Sequence, residues 1–176
     1  MEDTKCVQRD VLVDLIKHYI AVKTKEIAEE SGVLIGPRVK GMEIGTQRGL
    51  TLYYLLEQVP NLEMVAIDPE PLWPEFMQNT EPYRNRIKLI QLYSDQAARI
   101  WESGEFDFVW IDGDHSYEQV KRDIKNYLPF VKKGGFIGGH DFGPTVSGCG
   151  VIMAVNEVFG HKNIELGSDY TWWIYV

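Results

Sequence analysis

Four side chains in the second half of the chain are of types that could do acid–base or metal chemistry. The apolar run Phe106 to Ile111 ends in Asp112-Gly113-Asp114-His115, and Phe136 to Gly139 ends in His140-Asp141. Short apolar runs closed by glycine and polar clusters read as buried strands. Asp112, His140 and Asp141 then stand at the carboxyl ends of what should be neighbouring strands, where they could converge on a divalent cation. His115, three residues past Asp112, titrates near neutral pH and can take a proton from a hydroxyl. A hydroxyl is a poor nucleophile at that pH, so a cation that lowers its pKa, a general base, or both would activate it. His140 and Asp141 can equally form a hydrogen-bonded pair without a metal, and Asp114 reads as a turn acid.

Glu43, Gly45 and Gly49 form a second constellation. In the stretch Val39 to Thr51 an apolar run ends in an acid, passes two glycines four residues apart and opens into a helical stretch, Leu50 to Glu57. Strand, tight turn and helix in that order bring backbone N–H groups and a carboxylate to one sheet edge, where open α/β sheets bind ligands. The dinucleotide fingerprint G-x-G-x-x-G fails, because with Gly45 as its second glycine the first falls on Glu43 and the third on Arg48. A carboxylate at the loop mouth would also repel a pyrophosphate. A phosphate-binding loop fails for want of a Gly-Lys-Ser/Thr. An acid beside a glycine turn suits a ligand with cationic groups and no phosphate, and S-adenosylmethionine carries an ammonium and a sulfonium. The run Glu63 to Asp68 repeats the pattern, and its terminal acid is placed to accept hydrogen bonds from ribose hydroxyls. Asp68, ahead of Pro69, can also be a plain capping residue.

Those residues need a framework of alternating elements. Val7 to Glu30 has apolar residues at helical spacing, with Gly32 as terminator. This leading helix either lays its apolar stripe on the sheet, covers the active site as a flap, or meets another copy of the chain. Pro60 ends the helix after the glycine turn, and Glu70 to Arg86 holds a short helix around Phe76. Lys88 to Tyr93 reads as a third strand and Ser94 to Ile100 as a helix. After the fourth strand, Val120, Ile124, Tyr127, Leu128 and Val131 share one helix face, while Lys121 to Lys125 form a solvated one. Ser116 and Gln119 have the spacing of a capping box. A fifth strand, Phe136 to Gly139, precedes a helix from Val151 to Phe159, a strand around Asn163 to Leu166 and a terminal strand, Thr171 to Val176.

At 176 residues the chain suffices for one α/β domain. Its 18 Lys and Arg against 26 Asp and Glu leave a formal charge of -8, which argues against nucleic acid as the main partner. No apolar run approaches the roughly 20 residues that span a bilayer. Met1 to Lys5 lack the pattern of a signal peptide. The expectation is a cytoplasmic protein that does not bind membranes, with Cys6 and Cys149 as free thiols.

The run FVWIDGDHSYEQVKRDIKNYLPFVKKGGFIGGHDF, followed by GVIMAVNEVF and a closing TWW, resembles the type 24 methyltransferase domain family, relatives of the small-molecule O-methyltransferases. The E-x-G-x-x-x-G spacing resembles motif I of class I methyltransferases. The resemblance covers roughly Val39 to Val176. It implies an α/β fold: a Rossmann-like sheet of seven strands with helices on both faces and the last strand antiparallel beside the fifth. It also implies a single domain, with residues 39–176 as core and 1–38 as a helical extension through which the chain could form a homo-oligomer.

The implied reaction is in-line methyl transfer from S-adenosylmethionine to an oxygen of a small-molecule acceptor. Glu43, Gly45, Thr46, Gln47, Gly49, Thr51, Asp68 and Asp112 would hold the donor. Ser94 and Asp95, at the turn where the family meets adenine, are also a plain N-cap pair. His115 takes the place of the lysine base of cation-dependent relatives, with Asp112 and Asp141 as further catalytic residues. Those relatives carry Asp after the fourth strand and Asp-Asn, or Glu-Asp, after the fifth. Here the metal set would be Asp112, His140 and Asp141, and imidazole suits Zn, Fe, Ni or Mn better than Mg. Two alternatives remain: an inactive cofactor-binding or scaffold domain, given the short Glu70 to Arg86 region, and a nucleotide-dependent oxidoreductase.

Overall fold

The computed structural model describes residues 7–101, 105–145, 148–161 and 164–176. Seven strands run β1 (Val39–Ile44), β2 (Leu62–Ile67), β3 (Ile87–Ile90), β4 (Phe106–Ile111), β5 (Val131–Gly139), β6 (Glu165–Leu166) and β7 (Trp172–Tyr175). They join one sheet in the order β3-β2-β1-β4-β5-β7-β6. The pairs among β1 to β5 are parallel. Strand β7 runs antiparallel to both β5 and β6. The strand order reverses between β1 and β4, so the crevice beyond their carboxyl ends is where such a sheet binds ligands.

Side chains alternate across the sheet with the period of two that a pleated strand imposes. In β4, Val109 and Ile111 face one core layer with Val120, Ile124 and Tyr127 of helix α5 (Tyr117–Tyr127) and Val151, Ala154 and Val155 of α6 (Gly148–Phe159). A further contributor is Ala97 of the short α4 (Ser94–Ala97). Phe108 and Trp110 face the other layer, with Leu52, Leu55 and Leu56 of α2 (Leu50–Gln58) and Phe76 of α3 (Glu75–Thr80). Helix α1 (Val7–Ser31) joins this second layer through Leu12, Val13, Leu15, Ile16 and Tyr19, so its stripe lies on the sheet as the spacing predicts. Helices thus cover both faces.

Several boundaries differ from the sequence expectation. The third strand stops at Ile90, and the segment that follows is split into α4 and a 3-10 turn, Ala98–Ile100. The region after α3 continues as a 3-10 helix, Glu81–Arg86, in place of loop. Residue Asn163 of the expected sixth strand lies outside the described residues, as does Cys6; Cys149 is an exposed free thiol. The capping box does not form. Ser116 occupies the N-cap of α5 without a side-chain cap bond and donates its N–H to Asp114 Oδ1, while Gln119 Oε1 accepts from Arg122 Nη2 and Gln119 Nε2 donates to Ser94 Oγ and Asp123 Oδ1, each at 3.0 Å. Other local partners have taken both groups that the box would use. Nor is Lys121 simply solvated, since it forms a 2.7 Å ion pair with Glu157 of α6. Among the described residues, no helix is long and apolar enough to cross a membrane.

Candidate active site

The loop from β1 into α2 is shaped by two glycines in left-handed conformation. Gly45 has φ 85, and a Cβ there would overlap the backbone of Asp112 and Gly113, so this position lets the β1 and β4 loops touch. Gly49, at φ 68, is the N-cap of α2, where a Cβ would meet Thr80. Asp68 fastens the loop: its Oδ2 accepts from the backbone N–H groups of Thr46 (3.0 Å) and Gln47 (2.8 Å), and Oδ1 accepts from Glu70 N–H at 2.9 Å. A carboxylate has about four acceptor positions, so Asp68 ties the turn while keeping capacity for a further donor.

Glu43 points into the same crevice from the end of β1. It is 2% exposed, and its Oε2 has no hydrogen-bond partner. Burial, aided by the Asp112 charge, holds its pKa well above the usual 4.5, against the opposing effects of a Thr51 hydrogen bond and the Arg9 charge. A cavity of about 430 Å³ opens above it, and Glu43, Gly45, Thr46, Gln47, Thr51, Asp68, Asp112 and His115 all line its wall. Gly49 shapes that wall without lining it. A neighbouring cavity of about 280 Å³ shares Gly45, Pro69, Gly113 and Asp114 with the first, and Ser94 and Asp95 line it. There Asp95 Oδ1 accepts from Asn126 Nδ2 at 3.0 Å, and Asp123, pushed up to about 6 by burial, has an Oδ2 without a partner.

Past the ends of β4 and β5, two carboxylates and two imidazoles come together. His115 spans both acids, with Nε2 3.6 Å from Asp112 Oδ1 and Nδ1 3.4 Å from Asp141 Oδ2. His140 Nδ1 lies 3.1 Å from Asp141 Oδ2 and 3.9 Å from Asp112 Oδ1. Donor atoms of Asp112, His115 and Asp141 lie within 4.8 Å of one another. Asp141 adopts φ 61, a left-handed conformation that Asp tolerates better than most residues. Asp112, with Asp141 and Asp114 behind it, raises the His115 pKa above 6.5, and burial only partly opposes this. Asp114 serves the turn, its Oδ1 accepting from Ser116 N–H at 2.8 Å.

The structure also places residues in the site that sequence reasoning did not select. Arg9 of α1 lines the main cavity, and Gln119 and Asp123 of α5 line the second. Helical spacing held a hint for Arg9, because positions 9, 12, 13 and 16 share a face and the last three are buried. Asp169, in the loop before β7, lies 3.9 Å from His140 Nε2, a contact no spacing rule reveals.

The strand order, the antiparallel β7 and the acid-ended β1 and β2 around a glycine turn define a class I S-adenosylmethionine-dependent methyltransferase fold. A family model described as a methyltransferase domain matches residues 42–142, more than half of the chain, and the protein belongs to that family. Uncharacterized protein R132 of Acanthamoeba polyphaga mimivirus is 29% identical over 139 residues, 73% of this chain. The match covers 63% of that relative, less than two thirds of its length. Among solved structures, the S-adenosylhomocysteine-bound methyltransferase PaMTH1 of Podospora anserina is similar at TM-score 0.64 and 16% identity, over 92% of this chain and 86% of that one. A candidate caffeoyl-CoA O-methyltransferase of Staphylococcus aureus is similar at TM-score 0.60 and 18% identity, over 96% and 98%. The segment matched by the family contains Glu43, Asp68, Asp112, His115, His140 and Asp141; α1 lies outside it.

Proposed function

We propose that this methyltransferase methylates a hydroxyl of a small molecule, with S-adenosylmethionine held over Glu43 and Asp68 and the acceptor over Asp112, His115 and Asp141. The observation that carries this reading is the convergence of those last three side chains beside the main cavity. In an in-line transfer the carbon–sulfur bond of the sulfonium breaks, a carbon–oxygen bond forms and the sulfur keeps the electron pair as a thioether. The hydroxyl proton must leave, and His115 is the group that takes it. Asp112 and Asp141, on opposite sides of the ring, fix its orientation and stabilise the imidazolium that results.

Together with His140, the two acids also suit a divalent cation. The donors mix oxygen and nitrogen, with His140 Nδ1 3.1 Å from Asp141 Oδ2 and 3.9 Å from Asp112 Oδ1. Asp112, Asp141 and His140 would hold the ion, whose charge would lower the pKa of an acceptor hydroxyl; the nitrogen ligand favours Zn, Mn, Fe or Ni over Mg. His115 stays available as the base.

The test is methyl transfer to a panel of catechols, phenols and sugars, with and without chelator. His115→Ala and Asp141→Ala are each expected to lower turnover by about 10²- to 10⁴-fold while S-adenosylhomocysteine binds as before in calorimetry. Because Asp112 and Asp141 hold the His115 proton when no cation is bound, the rate measured with chelator should climb with pH through an apparent pKa above 6.5. Normal turnover by both variants would sink this reading.

A further inference from the structure

Two charged side chains of opposite sign line the main cavity, each with a buried atom lacking a hydrogen bond: Glu43 Oε2 from β1 and Arg9 Nε from α1. The Arg9 charge reaches Glu43 and opposes the upward push that burial exerts on its pKa. A polar atom buried without a partner costs free energy, so two at one cavity point to a ligand that completes both. That ligand must offer a cation to Glu43 and an anion to Arg9 a short distance apart. An α-amino acid does so with its ammonium and carboxylate.

We propose that Arg9 of α1 binds the α-carboxylate of the donor's methionine moiety, opposite the ammonium at Glu43, so that the leading helix reads the zwitterionic end of the cofactor. This rests on the proposed donor site and goes beyond it, because Arg9 lies outside the segment that the family match covers. Glu43 by itself would accept any ammonium. The guanidinium adds a planar fork matched to a carboxylate and thereby distinguishes the intact amino acid from a decarboxylated one. Arg48 lines the same cavity but is exposed, where water screens its charge. The N–H groups at the start of α2 are the other local donors a carboxylate could use.

Calorimetry on the full chain separates these readings with two ligands: S-adenosylhomocysteine, and its decarboxylated analogue S-adenosyl-3-thiopropylamine, which keeps the ammonium. Arg9→Met should weaken S-adenosylhomocysteine tenfold or more and leave the decarboxylated analogue within twofold. Arg9→Lys should recover part of the loss, and Arg48→Met should not discriminate between the two ligands. Thermal melts of each variant confirm that the fold is retained. Equal weakening of both ligands by Arg9→Met would mean that Arg9 only positions Glu43 or α1, and would overturn the proposal. So would a selective loss in Arg48→Met in place of Arg9→Met, or full affinity in Arg9→Met, which would leave the carboxylate to α2. Wild-type protein that binds neither ligand would overturn the donor-site reading itself, and this proposal with it.

Discussion

Asp107 and Glu43 are both buried acids, 3% and 2% exposed, at opposite ends of the same parallel strands. Near the amino end of β4, both carboxylate oxygens of Asp107 are hydrogen-bonded. Its Oδ1 accepts from Tyr19 OH at 2.6 Å and Lys132 Nζ at 2.9 Å, and its Oδ2 from Lys40 N–H at 2.7 Å. These bonds tie α1, β1 and β5 to β4, and burial together with Asp107 drives the Tyr19 pKa up. At the carboxyl end, Glu43 Oε2, Arg9 Nε, His115 Nε2 and His140 Nε2 are buried without hydrogen bonds. One end has spent its polar groups on stability, and the other leaves them open.

Breaking the bonded end should give the largest effect on stability. Asp107→Ala strands Lys40 N–H and Tyr19 OH and should cost about 3 kcal/mol in urea unfolding, with S-adenosylhomocysteine affinity unchanged. A matching loss of affinity would erase the division between the two ends.

Glu43→Gln sharpens the comparison from the other side, with an effect on the order of 1 kcal/mol. The variant should bind S-adenosylhomocysteine about tenfold more weakly yet unfold at an equal or higher midpoint. The sign follows from linkage: the folded pKa lies above 4.5, so the unfolded chain releases this proton first. Ionising Glu43 therefore erodes wild-type stability as pH rises from 4.5 through the folded value. Denaturation across that window should show a steeper decline for wild type than for Glu43→Gln.

Ser116→Ala should have the smallest effect. With no cap bond to lose, its unfolding midpoint should shift by less than about 0.5 kcal/mol; a loss of about 1 kcal/mol, as for a bonded N-cap, would restore the capping box.

The alternation of apolar runs with acid-ended glycine turns was enough to read the sheet, its helices and Glu43, Asp68 and Asp112. Each of those residues is placed by a period or a short spacing that local backbone geometry enforces. Asp112, His115, His140 and Asp141 were legible as types at strand ends. The fold alone made His115 the residue that bridges both acids. Gln119 shows the opposite case: its spacing predicted a cap on Ser116, but the Ser116 N–H went to Asp114 and the Gln119 amide to Arg122 and Asp123 on its own helix and, across the packing of α4 on α5, to Ser94.

The sequence by itself determined the strand-and-turn order, the two acids at the ends of β1 and β2 and the ionisable groups after β4 and β5, because all of these follow from spacing along the chain. Tertiary structure alone decided that Arg9 enters the cavity from α1, that both Asp107 oxygens are bonded and that Glu43 is left with an open oxygen. The reason is physical: whether a buried polar group is satisfied depends on atoms that folding brings from distant positions, and no local period encodes them.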